Sequence, residues 1–175
     1  MSAAEIVVLD AAEARRRIGE LAALLSDVVE SGGGVSFMAP FPPEAALAFW
    51  QGVIEGIAKG DRVVLAASEN GTIVGSVQLV PATQPNQPHR ADVAKLLVRG
   101  RARRRGIARA LMQRLEAEAR ARNRTLLTLD TETGGAAEAL YRSMGYVAVG
   151  VIPGFALRSL GGLCSTTIFY RRIAP

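Results

Sequence analysis

The chain has one cysteine, Cys164, and one histidine, His89. A lone cysteine excludes an intrachain disulfide, so a reducing, cytoplasmic setting is expected. Cys164 has no basic neighbour in sequence to activate it, and packing is its expected role. Histidine as a residue type suits proton transfer near neutrality, but His89 lies between a proline-rich loop and a strand with no partner in view. No apolar run approaches the roughly 18 residues of a membrane span, so no membrane partner is expected. The start, MSAAEIVVLDAAE, lacks the basic region and apolar length of a signal peptide. Aromatics are 5% of the chain, and none are interleaved with its basic stretch as base stacking would need, so no nucleic-acid partner is expected.

The remaining composition, 49% hydrophobic and 21% charged, is that of an ordinary globular protein. A length of 175 residues suits one domain, spanning 1–175, with a substantial core. Net charge is +5 and the pI about 10.1. Six arginines crowd between Arg99 and Arg109, which favours a local anion site over a broad basic face.

Glu5 to Leu9 reads as an edge strand and Asp10 as a helix N-cap, before Ile18, Leu21, Leu25 and Val28 recur at helical spacing. Ser31 to Pro43 is a Gly- and Pro-punctuated loop with apolar content, suited to the core or to a pocket wall. A helix over Glu44 to Lys59 places Phe49 and Trp50 inward. Arg62 to Ser68 and Thr72 to Val80 form a hairpin around Asn70-Gly71. Ala91 to Val98 is a strand, followed by an amphipathic helix, a strand at Thr125 to Thr131, a helix at Gly135 to Met144, and strands at Tyr146 to Ile152 and Thr166 to Arg172. A glycine-rich loop, Pro153 to Ser165, links the last two. The order β-α-α-β-β-β-α-β-α-β-β predicts an α+β fold, with a mixed, mostly antiparallel central sheet flanked by about four helices.

The most informative stretch is LLVRGRARRRGIARALMQRLEAEARA, Leu96 to Ala121. An apolar strand ends at Val98, and an Arg-rich turn opens at Gly106 onto a helix with Ile107, Leu111 and Leu115 on one face. The first N–H groups of a helix lack intrahelical partners and carry partial positive charge, so a pyrophosphate fits there. Gly106 and Ala108 permit close approach to the main chain, and Arg103, Arg104, Arg105 and Arg109 supply charge-assisted hydrogen bonds.

The spacing Arg103-x-x-Gly106-x-Ala108 resembles the acetyl-CoA motif of the GNAT (GCN5-related) N-acetyltransferases. GGAAEALYRSMGY resembles that family's Asn-x-x-Ala-x-x-Leu-Tyr segment through Ala137, Leu140, Tyr141, Gly145 and Tyr146, with Gly134 where the family has Asn. GGGVSFMA, RADVAKLLV, LDTETGGAAEALY and YVAVGVIPGF are similar to toxin-resistance members of the family. The resemblance implies a GNAT-like fold and acetyl-CoA as acyl donor, held by Leu97, Val98, Arg103, Arg104, Arg105, Gly106, Ile107, Ala108 and Arg109. It implies Tyr141 as proton donor to the leaving sulfur, and Asp130 with Asp92 to hold and deprotonate the amine. No metal is required. The implied acceptor is a small-molecule amine, with amino-acid-like toxins or antibiotics among the candidates. A protein or peptide amine is the alternative within the enzyme class. A non-catalytic acyl-CoA sensor or a nucleic-acid-binding module is the alternative outside it. The family also makes a homodimer an expectation, with Ser31 to Pro43 as a candidate surface.

Overall fold

Asp10 accepts the Glu13 N–H at 2.7 Å and starts the first helix, as its side chain suits it to do. The computed structural model describes residues 4–174, so Met1 to Ala3 of the stretch read for a leader lie outside the described residues. The elements are β1 (Glu5–Leu9), α1 (Ala11–Arg16), α2 (Ile18–Glu30), α3 (Pro43–Lys59), β2 (Val63–Glu69), β3 (Thr72–Pro81), β4 (Arg90–Val98), α4 (Ile107–Ala121), β5 (Leu126–Glu132), α5 (Ala136–Ser143), β6 (Val147–Leu157) and β7 (Leu163–Arg172). The α+β order of strands and helices expected from the sequence is therefore present, with one more short helix than the pattern suggested.

The extra break falls at Arg17. Its guanidinium is drawn off the helix to Glu20 at 2.9 Å, Ser68 at 3.2 Å and the Gly71 carbonyl at 2.7 Å, which ties α2 to the β2–β3 turn. That turn holds Asn70 and Gly71 at φ 49° and 78°, the positive values the Asn-Gly pair predicts.

The sheet runs β1-β2-β3-β4-β5-β7-β6, antiparallel except between β4 and β5. One core cluster packs Val74, Val77, Leu127, Leu129 and Phe169 against Ile107, Leu111 and Leu115 of α4. The other packs Leu21, Leu25 and Trp50 of α2 and α3 on the opposite face. Each fully buried aliphatic side chain contributes about 1.5–3 kcal/mol. The three α4 residues, spaced one turn apart, fix that helix and so the turn before it.

Two segments depart from simple sequence patterning. The loop read from Pro153 to Ser165 is largely sheet, because β6 runs to Leu157 and β7 starts at Leu163 around a turn. Pro153 and Gly154 lie where the register shifts between Ile152 and Ala156, a bulge that an edge strand tolerates. In β4 the strict alternation that would put Asp92 and Ala94 with Leu96 and Val98 fails. Leu97 pairs with Ser76 and Ala94 with Gln78, so Lys95 and Leu96 together oppose Val77. Lys95 takes φ 51°. Beyond that bulge Leu96 and Val98 join Ala91 and Val93 on the α4 side, and Leu97 turns to the α2–α3 side.

Candidate active site

Between Val98 and α4 the chain passes through a short 3-10 turn, Gly100–Ala102, and then alternates handedness. Arg104 stands at φ 60° and Gly106 at φ 80°, separated by Arg105. Successive residues alternating this way point their N–H groups into one concavity, an anion-binding nest. Arg103 N–H donates to Gly100 and Ala110 N–H to Gly106, while among the described residues no protein acceptor meets the N–H groups from Arg104 to Arg109. A Cβ added at Gly106 would meet nothing within 4 Å, so no other part of the chain packs against the turn at that point. The geometry fits a pyrophosphate.

The arginines around the nest are differently engaged. Arg103 donates through Nε to the Val98 carbonyl and through Nη2 to Ser31 Oγ, both at 3.2 Å. Arg105 is paired with Glu69 at 2.8 Å. Arg109 reaches across to Ser143 Oγ on α5 at 2.7 Å and bridges the helices flanking the cleft. Arg104 is exposed.

Parallel pairing of β4 with β5 covers only Arg90 to Asp92 against Leu126 to Thr128, and beyond it the strands splay. The splay opens a slot whose β4 wall has unpaired backbone. Arg99 N–H donates to the Val74 carbonyl at 2.9 Å. By the two-residue alternation of an antiparallel ladder, this turns the Leu97 N–H toward β3 and the Val98 N–H toward the slot.

Asp92 sits at the last paired position. Its carboxylate accepts from Arg90 Nη1 at 2.6 Å and from the Thr128 hydroxyl, and Arg90 also reaches Thr128 Oγ1 at 3.0 Å. Arg90 and Thr128, absent from the sequence reading, staple the base of the slot. Asp130 lies two residues past Thr128 on the same face, opposite the buried Leu127 and Leu129. Its Oδ2 is 2.8 Å from Thr166 Oγ1, which holds the carboxylate from β7. Only the β5–β7 register, a long-range pairing, brings Thr166 there.

Tyr141 approaches from α5 on the other side of the sheet. It is buried among Tyr146 at 5.5 Å and Phe169 at 6.2 Å between ring centroids. Among the described residues its hydroxyl has no hydrogen-bond partner within the protein, yet it is not one of the sealed, unpartnered polar atoms. Burial, with the Asp130 charge adding to it, pushes the phenol well above its ordinary value of 10.0. The Tyr141 hydroxyl therefore stays protonated near neutral pH. Behind it, Arg171 lies 5.6 Å from the Tyr146 ring centre and pairs with the buried Glu116 at 2.9 Å, which braces the cluster. Gly134, at the position of the family's Asn, takes φ 80° and donates its N–H to Glu138, so it serves as the left-handed entry to α5.

Lys95, placed by the bulge, is the residue here that patterning left unexplained. Its Nζ is 3.1 Å from Ser36 Oγ and lies 5.6 Å and 6.0 Å from the ring centres of Phe37 and Phe49. Burial and the nearby Arg62 charge pull its ammonium below the ordinary value, while Asp130 opposes them. The loop over Ser31 to Pro43 thus forms a wall of this cleft, with Val35, Phe37 and Phe41 against the α2–α3 core. The exposed His89 contributes through its backbone, accepting Leu126 N–H at 3.0 Å. Cys164 sits in the β6–β7 hairpin opposite Ala156.

The fold thus sets a slot between splayed parallel strands with an amide nest at its mouth. The model of the acetyltransferase (GNAT) family matches residues 34–146, and the chain belongs to that family. An uncharacterized N-acetyltransferase in the hisH-hisA intergenic region of Azospirillum brasilense is 36% identical over 106 residues, 59% of this chain. The chain spans about three fifths of that curated relative, 61% of its length. Among solved structures, the ribosomal-protein-alanine N-acetyltransferase from Brucella melitensis superposes with a TM-score of 0.79 at 24% identity, covering 97% of this chain and 99% of its own. The yncA protein of Salmonella typhimurium, solved with its cofactor acetyl-CoA, gives 0.77 at 18% identity, covering 99% and 98%. These structural likenesses establish the fold.

Proposed function

We propose that the chain is an acetyl-CoA-dependent N-acetyltransferase that moves the acetyl group directly to the amine of a small molecule. The observation that carries this reading is the run of unpartnered N–H groups from Arg104 to Arg109. Val98, Arg103, Arg104, Arg105, Gly106, Ile107, Ala108 and Arg109 are its proposed donor-binding residues, with the Val98 N–H facing the slot where a thioester carbonyl would lie, whereas Leu97, expected beside it, turns its N–H to β3 and buries its side chain. Acetyl-CoA supplies an activated acyl group whose carbonyl gains negative charge on attack, and a fixed N–H donor stabilises such charge.

Asp130, steadied by Thr166, attracts the acceptor ammonium and takes its proton directly or through water. Asp92, held by Arg90 and Thr128 on the same face, adds negative potential without being free to swing. Tyr141 returns a proton to the departing thiolate from the opposite face of the sheet. Base and acid thus stand on either side of the slot, as a one-step transfer requires.

The test is release of free thiol from acetyl-CoA over a panel of small amines, amino-acid-like toxins and peptides. Segments resembling the tabtoxin-resistance acetyltransferase put β-lactam amino acids on that panel. Acceptor-dependent thiol release with a small amine supports the reading. Turnover confined to peptides would transfer it to protein acetylation, and acetyl-CoA binding with no turnover would leave a sensor.

A further inference from the structure

Granted the transferase reading above, on which this rests, we propose that Lys95 and Arg62 form an anion subsite in the acceptor cleft, which selects amines that also carry a carboxylate. Lys95 is held there at a cost to the backbone. It takes φ 51°, and Ser36, whose hydroxyl meets its Nζ at 3.1 Å, takes φ 73°. Residues other than glycine are strained at such angles, and strain of this kind collects where a side chain must be aimed at a ligand. The Phe37 and Phe49 rings, with centres 5.6 Å and 6.0 Å from the ammonium, steady it. Ser36 is exposed, so the charged tip stands at an open rim.

Arg62 reaches the same region from the start of β2. Its side chain crosses α3 at Gly56, where an added Cβ would stand 3.0 Å from Arg62 Cδ, and Gly56 lies two turns along from Phe49 on one face of that helix. Its Nη1 donates to Gln78 Oε1 at 2.8 Å. Gln78 in turn pairs with Ala94, the residue before Lys95. Gln78 is fully buried and its Nε2 has no partner among the described residues, so the dipole of that amide adds to the positive charge unopposed.

Two cations thus share one region without a counter-charge. Among the described residues neither Lys95 nor Arg62 joins an ion pair. Burial, and then the Arg62 charge, pull the Lys95 ammonium below its ordinary value, and a bound anion would relieve both. The neighbouring strand supplies the opposite sign in Asp130, which Thr166 holds. An acceptor with its ammonium toward Asp130 and its carboxylate toward Lys95 and Arg62 meets a partner at each end. A polycation instead sets like charges together.

The experiment has two arms. In the first, thiol release from acetyl-CoA is measured with amino acids, with their methyl esters and with spermidine. The expected result is a KM about ten- to a hundredfold lower for the free acids than for the esters, as one charge-assisted hydrogen bond implies, with spermidine the poorest acceptor. Arg62→Gln and Lys95→Gln should each shrink that preference. In the second arm the chain is labelled at the lysine ε-carbon, which gives two NMR signals because Lys59 and Lys95 are its only lysines. N-acetylglycine should move the Lys95 signal saturably and leave Lys59 in place, and its methyl ester should move neither. Equal KM values for acids and esters would overturn the subsite and leave the transferase reading standing. So would a Lys95 signal that responds alike to N-acetylglycine and its ester. A saturable Lys95 shift with no thiol release from any amine would support the anion subsite and sink the transferase reading instead.

Discussion

Replacing Tyr141 by Phe removes one oxygen and little else, which makes the expected outcome sharp. The ring keeps its packing against Tyr146 and Phe169. The hydroxyl has no partner within the described protein, so its loss strands no buried donor or acceptor, and stability should move by no more than about 0.5 kcal/mol. Catalysis should suffer. Positioned general acids are worth about 10²- to 10⁴-fold, and the low end applies because a thiolate already leaves tolerably near neutrality. A loss of about 10²-fold in kcat corresponds to about 2.7 kcal/mol of transition-state stabilisation. The assay is steady-state thiol release with the amine found by panel screening, alongside urea denaturation. Since burial and Asp130 both raise the phenol, wild-type kcat should show no Tyr141 ionisation as pH rises through the ordinary value of 10.0. Unchanged kcat in a folded Tyr141→Phe variant would refute the proton-donor role. So would an equal loss of activity and of stability.

Gly106→Ala forces a non-glycine residue to hold φ 80° within the nest, so it should cost about 1–2 kcal/mol in urea denaturation and weaken acetyl-CoA in calorimetry. Lys95, whose ammonium stands by Ser36 on the cleft wall, is the cation a carboxylate on the acceptor would meet, so Lys95→Met should raise KM for such acceptors by roughly ten- to a hundredfold, as loss of one charge-assisted hydrogen bond of about 1.5–3 kcal/mol implies, and leave acetyl-CoA affinity alone. Equal KM values for that variant and wild type would remove Lys95 from acceptor binding. Glu20 is held below its ordinary 4.5 by hydrogen bonds from Arg17 and from the Ile73 N–H. Its contribution to stability is therefore complete above pH 4.5 and lost as pH falls through the lower folded value. Thermal melts of wild type should drop across that window more than those of Glu20→Gln, and parallel curves would contradict the pairing.

Much of this was legible in the sequence because it depended on neighbours along the chain. Asp10, Asn70-Gly71 and the Gly106 turn act within a few residues of themselves, and the α4 stripe is a matter of period. What stayed hidden depended on distant partners. The Lys95 bulge arises in the pairing of β4 with β3 and reverses the facing of Leu96 to Val98, which strict alternation cannot anticipate. Thr166 reaches Asp130 only across β7, and Arg105, one of the charges expected at the nest, is committed to Glu69 on β2. Pro153, Gly154 and Gly161 read locally as a loop, whereas the hairpin closes around them because an edge strand tolerates such residues.

The central claim is that backbone amides from Arg104 to Arg109 hold the diphosphate of the acyl donor. The direct measurement is an amide-resolved NMR titration of the chain with coenzyme A. The account predicts that the largest shifts fall on those consecutive N–H signals and on Val98, saturating together. Saturable binding that left those amides unmoved while others shifted would contradict it.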